Sequence, residues 1–359
     1  MIPLVADPQE VGADWLTQAL RADGRANHGQ VTSLRRELVG TGQMGCNVRF
    51  HLEWDGAPPD APRTVIGKFP SADPTSRATG ALQGVYRKEV EFYRQIAATV
   101  DIRVPRCFLA LVDATGGEFV LLLEDVAPAR QGDQLRGCGV DVAALALEEL
   151  VKLHAPRWDD PALAQLDFLD GPSAERSKLL GVLYASLWPG FEARYGERLA
   201  PDVMALGARL GPALEAWSLA LRSPLTVTHG DYRLDNMLFR PSGDASPLVV
   251  VDWQTVGRGV GTSDAAYFLG AGLPVDLRRA HERELLRGYW EGLEAVGISG
   301  YTWEQCWYDY RHATFGGVVM AVIASMIVQQ TERGDEMFVT MASRHGRHAL
   351  DLEAERLLG

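Results

Sequence analysis

Apolar positions change period twice along the chain. Over residues 8–22 they recur every three or four residues, with Val11, Trp15, Leu16 and Ala19 on one face, which predicts a helix. The period then falls to two. Residues 31–39, 48–54, 64–69, 106–112 and 119–124 predict strands, interrupted by a single helix over about 80–98. Residues 55–63 and 70–79, rich in Pro, Ala and small polar side chains, predict loops. After Asp125 the helical period returns over 141–154, 174–195, 201–221, 277–296 and 303–328, with a last charged helix over about 335–358. Two short strands are expected near 225–228 and 248–251. Strands in one block and helices in another predict an α+β protein rather than alternating βαβ units. The expected division is a small β-rich lobe with one helix over residues 1–124 and a larger, mainly helical lobe over 125–359, joined near 124–128.

Composition narrows the function classes. The 359 residues carry a formal net charge of −12, with 47% hydrophobic and 23% charged residues, as in an ordinary globular chain. That charge argues against a chain that as a whole binds nucleic acid or an anionic membrane. Cys46, Cys107, Cys138 and Cys306 stand far apart without a C-x-x-C, so neither a zinc site nor a disulfide framework is indicated. The opening MIPLVADPQE lacks the basic and apolar segments of a secretory signal. The longest apolar stretch, 315–328, is too short to span a bilayer and reads as a core helix. A cytoplasmic location is expected.

The strongest chemical signal is His229-Gly230-Asp231-Tyr232-Arg233-Leu234-Asp235-Asn236, followed by the apolar Met237-Leu238-Phe239. Close behind it, the apolar run Val249-Val250-Val251 ends in Asp252. His, Gly, Asp and Asn are also common turn residues, but this spacing beside a strand-terminal Asp is hard to reach by chance. Phosphoryl transfer from a nucleotide needs one carboxylate to orient and deprotonate the attacking hydroxyl, and hard oxygen ligands to hold magnesium on the phosphates. Asp231 fits the first role; Asn236 and Asp252 fit the second. The segment resembles the catalytic loop of the aminoglycoside phosphotransferase and choline kinase superfamily, distant relatives of protein kinases with HGD in place of HRD. The wider sequence, including LLLEDV and HGDYRLDNMLF, is most similar to the bacterial phosphotransferases related to ecdysteroid kinases. The resemblance spans about residues 10–330. It implies a protein-kinase-like, two-lobed fold, with ATP and Mg2+ as cofactors.

Such a fold needs a strand Lys on the nucleotide phosphates and a helix Glu paired with it. Lys68 lies in the apolar Val65-Ile66-Gly67-Lys68-Phe69, in a chain where only four of the 35 Lys and Arg residues are lysines. In the helix expected over 80–98, Leu82, Val85, Tyr86, Glu89, Tyr93 and Ile96 share one stripe. Glu89 therefore faces the apolar side and Glu91 is expected to face solvent. Lys68 and Glu89 are the expected pair; a Lys snorkelling at a strand end and an unrelated helix-edge Glu would fit the pattern too.

Gly40-Thr41-Gly42-Gln43-Met44-Gly45 precedes an alternating segment rather than a helix, so it predicts a hairpin loop, not a dinucleotide fold. Gly40, Thr41, Gly42 and Gly45 suit a backbone cover over phosphates; an ordinary hairpin turn has the same signature. In a kinase-like fold Glu124 and Val126 would meet adenine through their backbone, and an interlobe linker would read no differently. Asp264 matches a superfamily Asp that braces the catalytic loop and would equally serve as a helix-start acid. His229 matches a His that supports the loop. His154 reads as a core histidine. Arg233 occupies the place of a cation near the transferred phosphate, with a structural salt bridge as the equal alternative.

The expected activity is transfer of the ATP γ-phosphate to a hydroxyl of a small molecule, with Asp231 and Arg233 as catalytic residues. The competing class is a nucleotide-binding pseudokinase or regulatory module; the base and both metal ligands are retained, which favours the kinase. Trp253-Gln254 in place of Phe-Gly and the lack of a recognisable activation segment argue against a protein substrate. A mild acidic excess over 260–359 and eight aromatics within 289–315 point away from a polycationic aminoglycoside. They favour an alcohol on a small metabolite, sterol-like compound or acyl thioester.

Overall fold

The computed structural model describes residues 2–22, 24, 29–40, 45–220, 223–241 and 247–358. In chain order the elements are α1 Ala13–Ala22, β1 Gln30–Val39, β2 Gly45–Asp55, β3 Thr64–Pro70, α2 Pro74–Leu82, α3 Val85–Glu91, β4 Cys107–Val112, β5 Phe119–Glu124, β6 Arg130–Gln131, α4 Val140–His154, α5 Ala174–Tyr195, α6 Pro201–Ala220, β7 Thr226–Thr228, β8 Met237–Phe239, β9 Leu248–Val250, β10 Gly257–Gly259, α7 Thr262–Gly272, α8 Val275–Ala295, α9 Trp303–Ala313, α10 Phe315–Ile327 and α11 Glu332–Asp351. The chain divides into two compact units. The first holds Met1–Thr99, Arg103–Ala129 and Arg240–Thr255; the second holds Val100–Ile102, Arg130–Phe239 and Val256–Gly359.

The first unit is built on a five-stranded antiparallel sheet of order β1-β2-β3-β5-β4. The apolar run of β5 is buried on both faces. Val120 and Leu122 join Val48, Phe50, Val65 and Phe69 against Trp15, Leu16 and Leu20 of α1. Phe119, Leu121 and Leu123 join Val85, Tyr86 and Val90 of α3. A strand covered by helices on both sides has no polar face to show, which is why β5 reads as continuous rather than alternating.

The helix expected over 80–98 is broken. It divides into α2, α3, a π-helical turn over Phe92–Ile96 and a 3-10 turn over Ala97–Thr99. Gly84, at φ +68°, sits between α2 and α3 in the left-handed conformation. That break shifts the phase: Leu82, expected on the buried stripe, is 90% exposed, while Val85, Tyr86 and Glu89 are buried. The loop expected over 70–79 holds most of α2. Asp73 caps it, accepting from the Ser76 amide at 2.7 Å, and Pro74 opens its first turn.

The second unit is helical, with a core drawn from α5, α6, α7, α10 and α11, among them Tyr184, Phe191, Leu206, Leu210, Phe315, Val318, Val322 and Met341. The helix expected over 303–328 is two helices meeting at Thr314, whose hydroxyl donates to the Arg311 carbonyl at 2.7 Å. The run Trp303–Ile327 is long and apolar enough to cross a membrane by length and composition, and most of its apolar stretch is buried inside the protein, as a core helix would be. Two short ladders frame residues 229–236. β7 pairs antiparallel with β10, Thr228 opposite Gly257, and β6 pairs with β8, Arg130 opposite Phe239.

Candidate active site

In the first unit the alternation of β3 points Lys68 away from Gly67, into a nearly closed setting: Lys68 is 8% exposed. A buried ammonium is costly unless paired. Its Nζ lies 2.6 Å from Oε2 of Glu89 and donates to Oδ1 of Asp252 at 3.0 Å. Burial opposes the charge, but the carboxylates of Asp252 and Glu89 outweigh it and raise the Lys68 pKa, so the group stays protonated. Burial also tends to raise the Glu89 carboxyl, against the pull of the adjacent ammonium. Glu89 holds a second point as well, accepting from the Trp253 amide at 3.4 Å. Trp253 is fully buried and stacks on Phe92, centroids 3.9 Å apart. Between these anchors Asp252 takes a left-handed backbone, φ +67°, unusual for a residue with a side chain. Its carboxylate is 39% exposed, the open member of the trio.

Gly45 starts β2 beside this cluster; a Cβ there would lie 3.1 Å from the Phe69 carbonyl and 3.7 Å from Lys68 Cε. Gly40 ends β1 at φ +77°. Thr41 and Gly42 lie outside the described residues. Glu124 spends its side chain within the unit: both carboxylate oxygens accept from Arg103, at 2.8 and 2.6 Å, and one accepts from the Arg106 amide. Burial pushes its pKa up, and the Arg103 bonds more than offset that. Val126 is buried. Glu91, expected to face solvent, has a side chain only 14% exposed, bonded to Arg94 and Gln95. The π-helical turn that follows it brings those partners over the carboxylate.

In the second unit the loop after β7 is fixed through its backbone. Asp264, in the first turn of α7, accepts from the His229 amide at 2.7 Å and the Gly230 amide at 3.0 Å. His154 and Tyr289 stand behind it: His154 Nε2 is 3.3 Å from Asp264 and its Nδ1 is 2.8 Å from the Tyr289 hydroxyl. His229 is buried, and its Nδ1 accepts from the Asp231 amide. Downstream, the Leu234 amide donates to the Gln134 side chain and the Gln134 amide to Asp235. Gly132 packs where a Cβ would come 2.4 Å from the Leu234 carbonyl.

This framework leaves one carboxylate half-open and heavily bonded. Oδ2 of Asp231 accepts from Arg233 Nε and Asn236 Nδ2, each at 3.0 Å; Oδ1 accepts from the Tyr267 hydroxyl at 2.8 Å. Arg233 also grips Asp235 at 2.6 Å. Burial works against its charge and the Asp231 and Asp235 carboxylates override it, so its pKa is raised. Arg233 is thus a salt-bridge residue in this structure. Asn236 donates its amide nitrogen to the Asp231 carbonyl and carboxylate, which leaves its amide oxygen, a hard acceptor, outside that pair of bonds.

Among the described residues no three His, Cys, Asp or Glu are arranged to hold a metal by themselves. Within its own unit each of Asn236 and Asp252 presents a hard oxygen, the donor type that magnesium takes.

The model of the phosphotransferase enzyme family, APH, matches residues 62–306, more than half of the chain. The chain belongs to this phosphotransferase family. The search of curated proteins finds no match. Solved structures carry the likeness in fold. A microcompartment-associated aminopropanol kinase shares 16% identity over 94% of this chain and 97% of its own, with a TM-score of 0.57. Choline kinase from Cryptosporidium parvum Iowa II shares 9% over 90% of each chain, TM-score 0.55. The GDP complex of a mutant aminoglycoside 2'-phosphotransferase shares 12% over 96% of this chain and 99% of its own, TM-score 0.51. The fold is therefore protein-kinase-like, with a small antiparallel-sheet unit and a larger helical one.

For this phosphotransferase the sequence left Tyr267 and Gln134 without roles. Tyr267 stood visible in the Asp264-Ala265-Ala266-Tyr267 run, since the residue three after Asp264 shares its face of α7. Gln134 sits in a loop and carries no comparable signal. The aromatics of 289–315 are mostly structural: Tyr289, Tyr301, Trp303, Tyr310 and Phe315 are buried. Arg283 and Arg287 stack over Trp303, and Arg283 also over Trp307 and Arg287 over Trp290. Cavities of about 340 and 360 Å³ share Gly300 and Tyr301, and none of residues 229–236 lines them.

Proposed function

We propose that this phosphotransferase is an ATP- and magnesium-dependent kinase that moves the γ-phosphate to a hydroxyl of a small molecule. The observation that carries the reading is the buried Lys68 ammonium shared between Glu89 and Asp252. Such a trio is costly to bury and has a use where polyphosphate must be gripped. In this reading residues 1–124 serve the nucleotide and residues 125–359 the chemistry and the acceptor. Lys68 contacts phosphates and Glu89 positions it. Gly40 and Gly45 lend backbone amides to that grip, and Thr41 and Gly42, outside the described residues, are assigned to it from the sequence alone. Backbone groups at Glu124 and Val126 meet the base, the Glu124 side chain being committed to Arg103 and Arg106. Magnesium, held by Asn236 and Asp252, would neutralise charge on the phosphates.

Asp231 receives the proton of the acceptor hydroxyl as its oxygen bonds to γ-phosphorus and the bond to the ADP oxygen breaks. Arg233 fixes Asp231 on its Oδ2 side. The acceptor is a small-molecule alcohol and the expected location the cytoplasm, where ATP is supplied. ATP consumption with magnesium should be screened against a panel of alcohols, with product phosphate detected by mass spectrometry. At least one alcohol should be phosphorylated. Tight ATP binding with no phosphorylated product across the panel would instead favour the regulatory-module reading.

A further inference from the structure

Among the described residues, three donors fix the two carboxylate oxygens of Asp231. Oδ2 is saturated by Arg233 and Asn236, while Oδ1 carries a single bond among them, from Tyr267. An ionised carboxylate oxygen offers about two lone-pair sites. The remaining one on Oδ1 is where an acceptor hydroxyl would bond, and the Tyr267 hydroxyl decides how that oxygen is aimed.

Tyr267 is built to hold still. It is 8% exposed, on the second turn of α7, and its ring leans on the imidazole of His345, centroids 5.2 Å apart at 31°. His345 comes from α11 and is fully buried; among the described residues neither of its ring nitrogens has a hydrogen-bond partner. It fits because two neighbours lack side chains. A Cβ at Gly270 would lie 2.5 Å from His345 Nδ1, and one at Gly317 would lie 2.2 Å from the ring. Burial lowers the His345 pKa to about 3, so the wall behind Tyr267 is neutral across the working range.

We infer that Tyr267 is a positioning residue for phosphoryl transfer: its hydroxyl, backed by His345, fixes Oδ1 of Asp231 so that one lone pair faces the acceptor hydroxyl. The role rests on the reading of this chain as a kinase. Its energetic logic is orientation, since a misplacement of about 1 Å in a reacting group can lower a rate by roughly a hundredfold.

The test compares Tyr267→Phe with Tyr184→Phe. Tyr184 is buried in the same unit and donates its hydroxyl to the Gly207 carbonyl at 3.0 Å, and it bonds to none of the residues proposed for transfer. Each variant loses the one hydroxyl bond of a buried tyrosine, so thermal melting should fall in both. Tyr267→Phe should lower kcat by roughly ten- to a hundredfold while KM for ATP stays within about twofold; Tyr184→Phe should leave kcat unchanged. A crystal structure of Tyr267→Phe should show the Asp231 carboxylate turned from its present rotamer. An active wild type with undiminished kcat in Tyr267→Phe overturns this role alone. A wild type that binds ATP yet phosphorylates no alcohol overturns the kinase reading and this role with it.

Discussion

At the scale of single residues, the two carboxylates proposed for transfer, Asp252 and Asp231, are held in opposite ways. Asp252 is strained at its backbone and open at its side chain, suited to a metal ligand. Asp252→Asn keeps the shape and removes the anionic oxygen that faces developing charge; transfer should fall by orders of magnitude with the melting profile little changed. Turnover near wild type in the folded variant would end that assignment. Asp231 is relaxed and saturated on one oxygen. Asp231→Asn should lower kcat by about 10²–10⁴, while calorimetric affinity for a non-hydrolysable ATP analogue changes by less than about tenfold. Collapse of affinity with turnover retained would make Asp231 a nucleotide or metal ligand. The same variant strips Arg233 of one of its two carboxylates, so a stability cost of roughly 1 kcal/mol is expected from chemical denaturation.

At the scale of elements, what was legible followed from period. β1 to β5 showed themselves because each alternates, or is uniformly apolar, over at least six residues. β6, β8 and β10 are two or three residues long and are held by cross-strand partners that no local pattern encodes. The segment 80–98 departs from its expected phase because a period of 3.6 does not run on through Gly84 or through the π-helical turn, which changes the residues per turn. Glu89 still falls on the buried face since Val85, Tyr86 and Glu89 all follow Gly84 without interruption. Of the site, the H-G-D-x4-N spacing was legible because its residues bond to one another. Tyr267 and His345 were not, because their link crosses from α7 to α11. The Glu89 and Glu91 comparison tests the element directly. Glu89→Gln weakens the grip on Lys68 and the Trp253 amide together, so ATP use should fall at least about tenfold. Among the described residues Glu91→Gln disturbs the bonds to Arg94 and Gln95, and activity should stay within about twofold of wild type. Steady-state kinetics on both variants would expose a wrong phase if the order were reversed.

At the scale of the whole molecule, buried imidazoles make the fold sensitive to acid. His312 packs in the second unit, stacked on Trp217 at 5.4 Å, and burial lowers its pKa from 6.5 to about 4. A lowered histidine pKa means that the unfolded chain binds the proton first. Above about pH 6.5 neither state is protonated and stability is flat with respect to this group. Between 6.5 and 4 the unfolded state takes up the proton and the folded state does not, so stability falls as pH falls; below 4 both are charged and the loss is complete. His345, lowered to about 3, adds a loss of the same sign over a wider window. Carboxyls held low by their arginine partners, such as Asp202 beside Arg347, act in the same direction at still lower pH. Asp309, raised by burial, opposes them. His312→Phe isolates one contribution: it keeps an aromatic ring against Trp217, and the Trp217 indole donates to the backbone carbonyl of His312, which the substitution leaves in place. Urea unfolding from pH 7 to pH 4 should show the wild type losing roughly 3 kcal/mol more than His312→Phe. Parallel curves for the two proteins would mean that His312 is protonated in the folded state and that its pocket admits water.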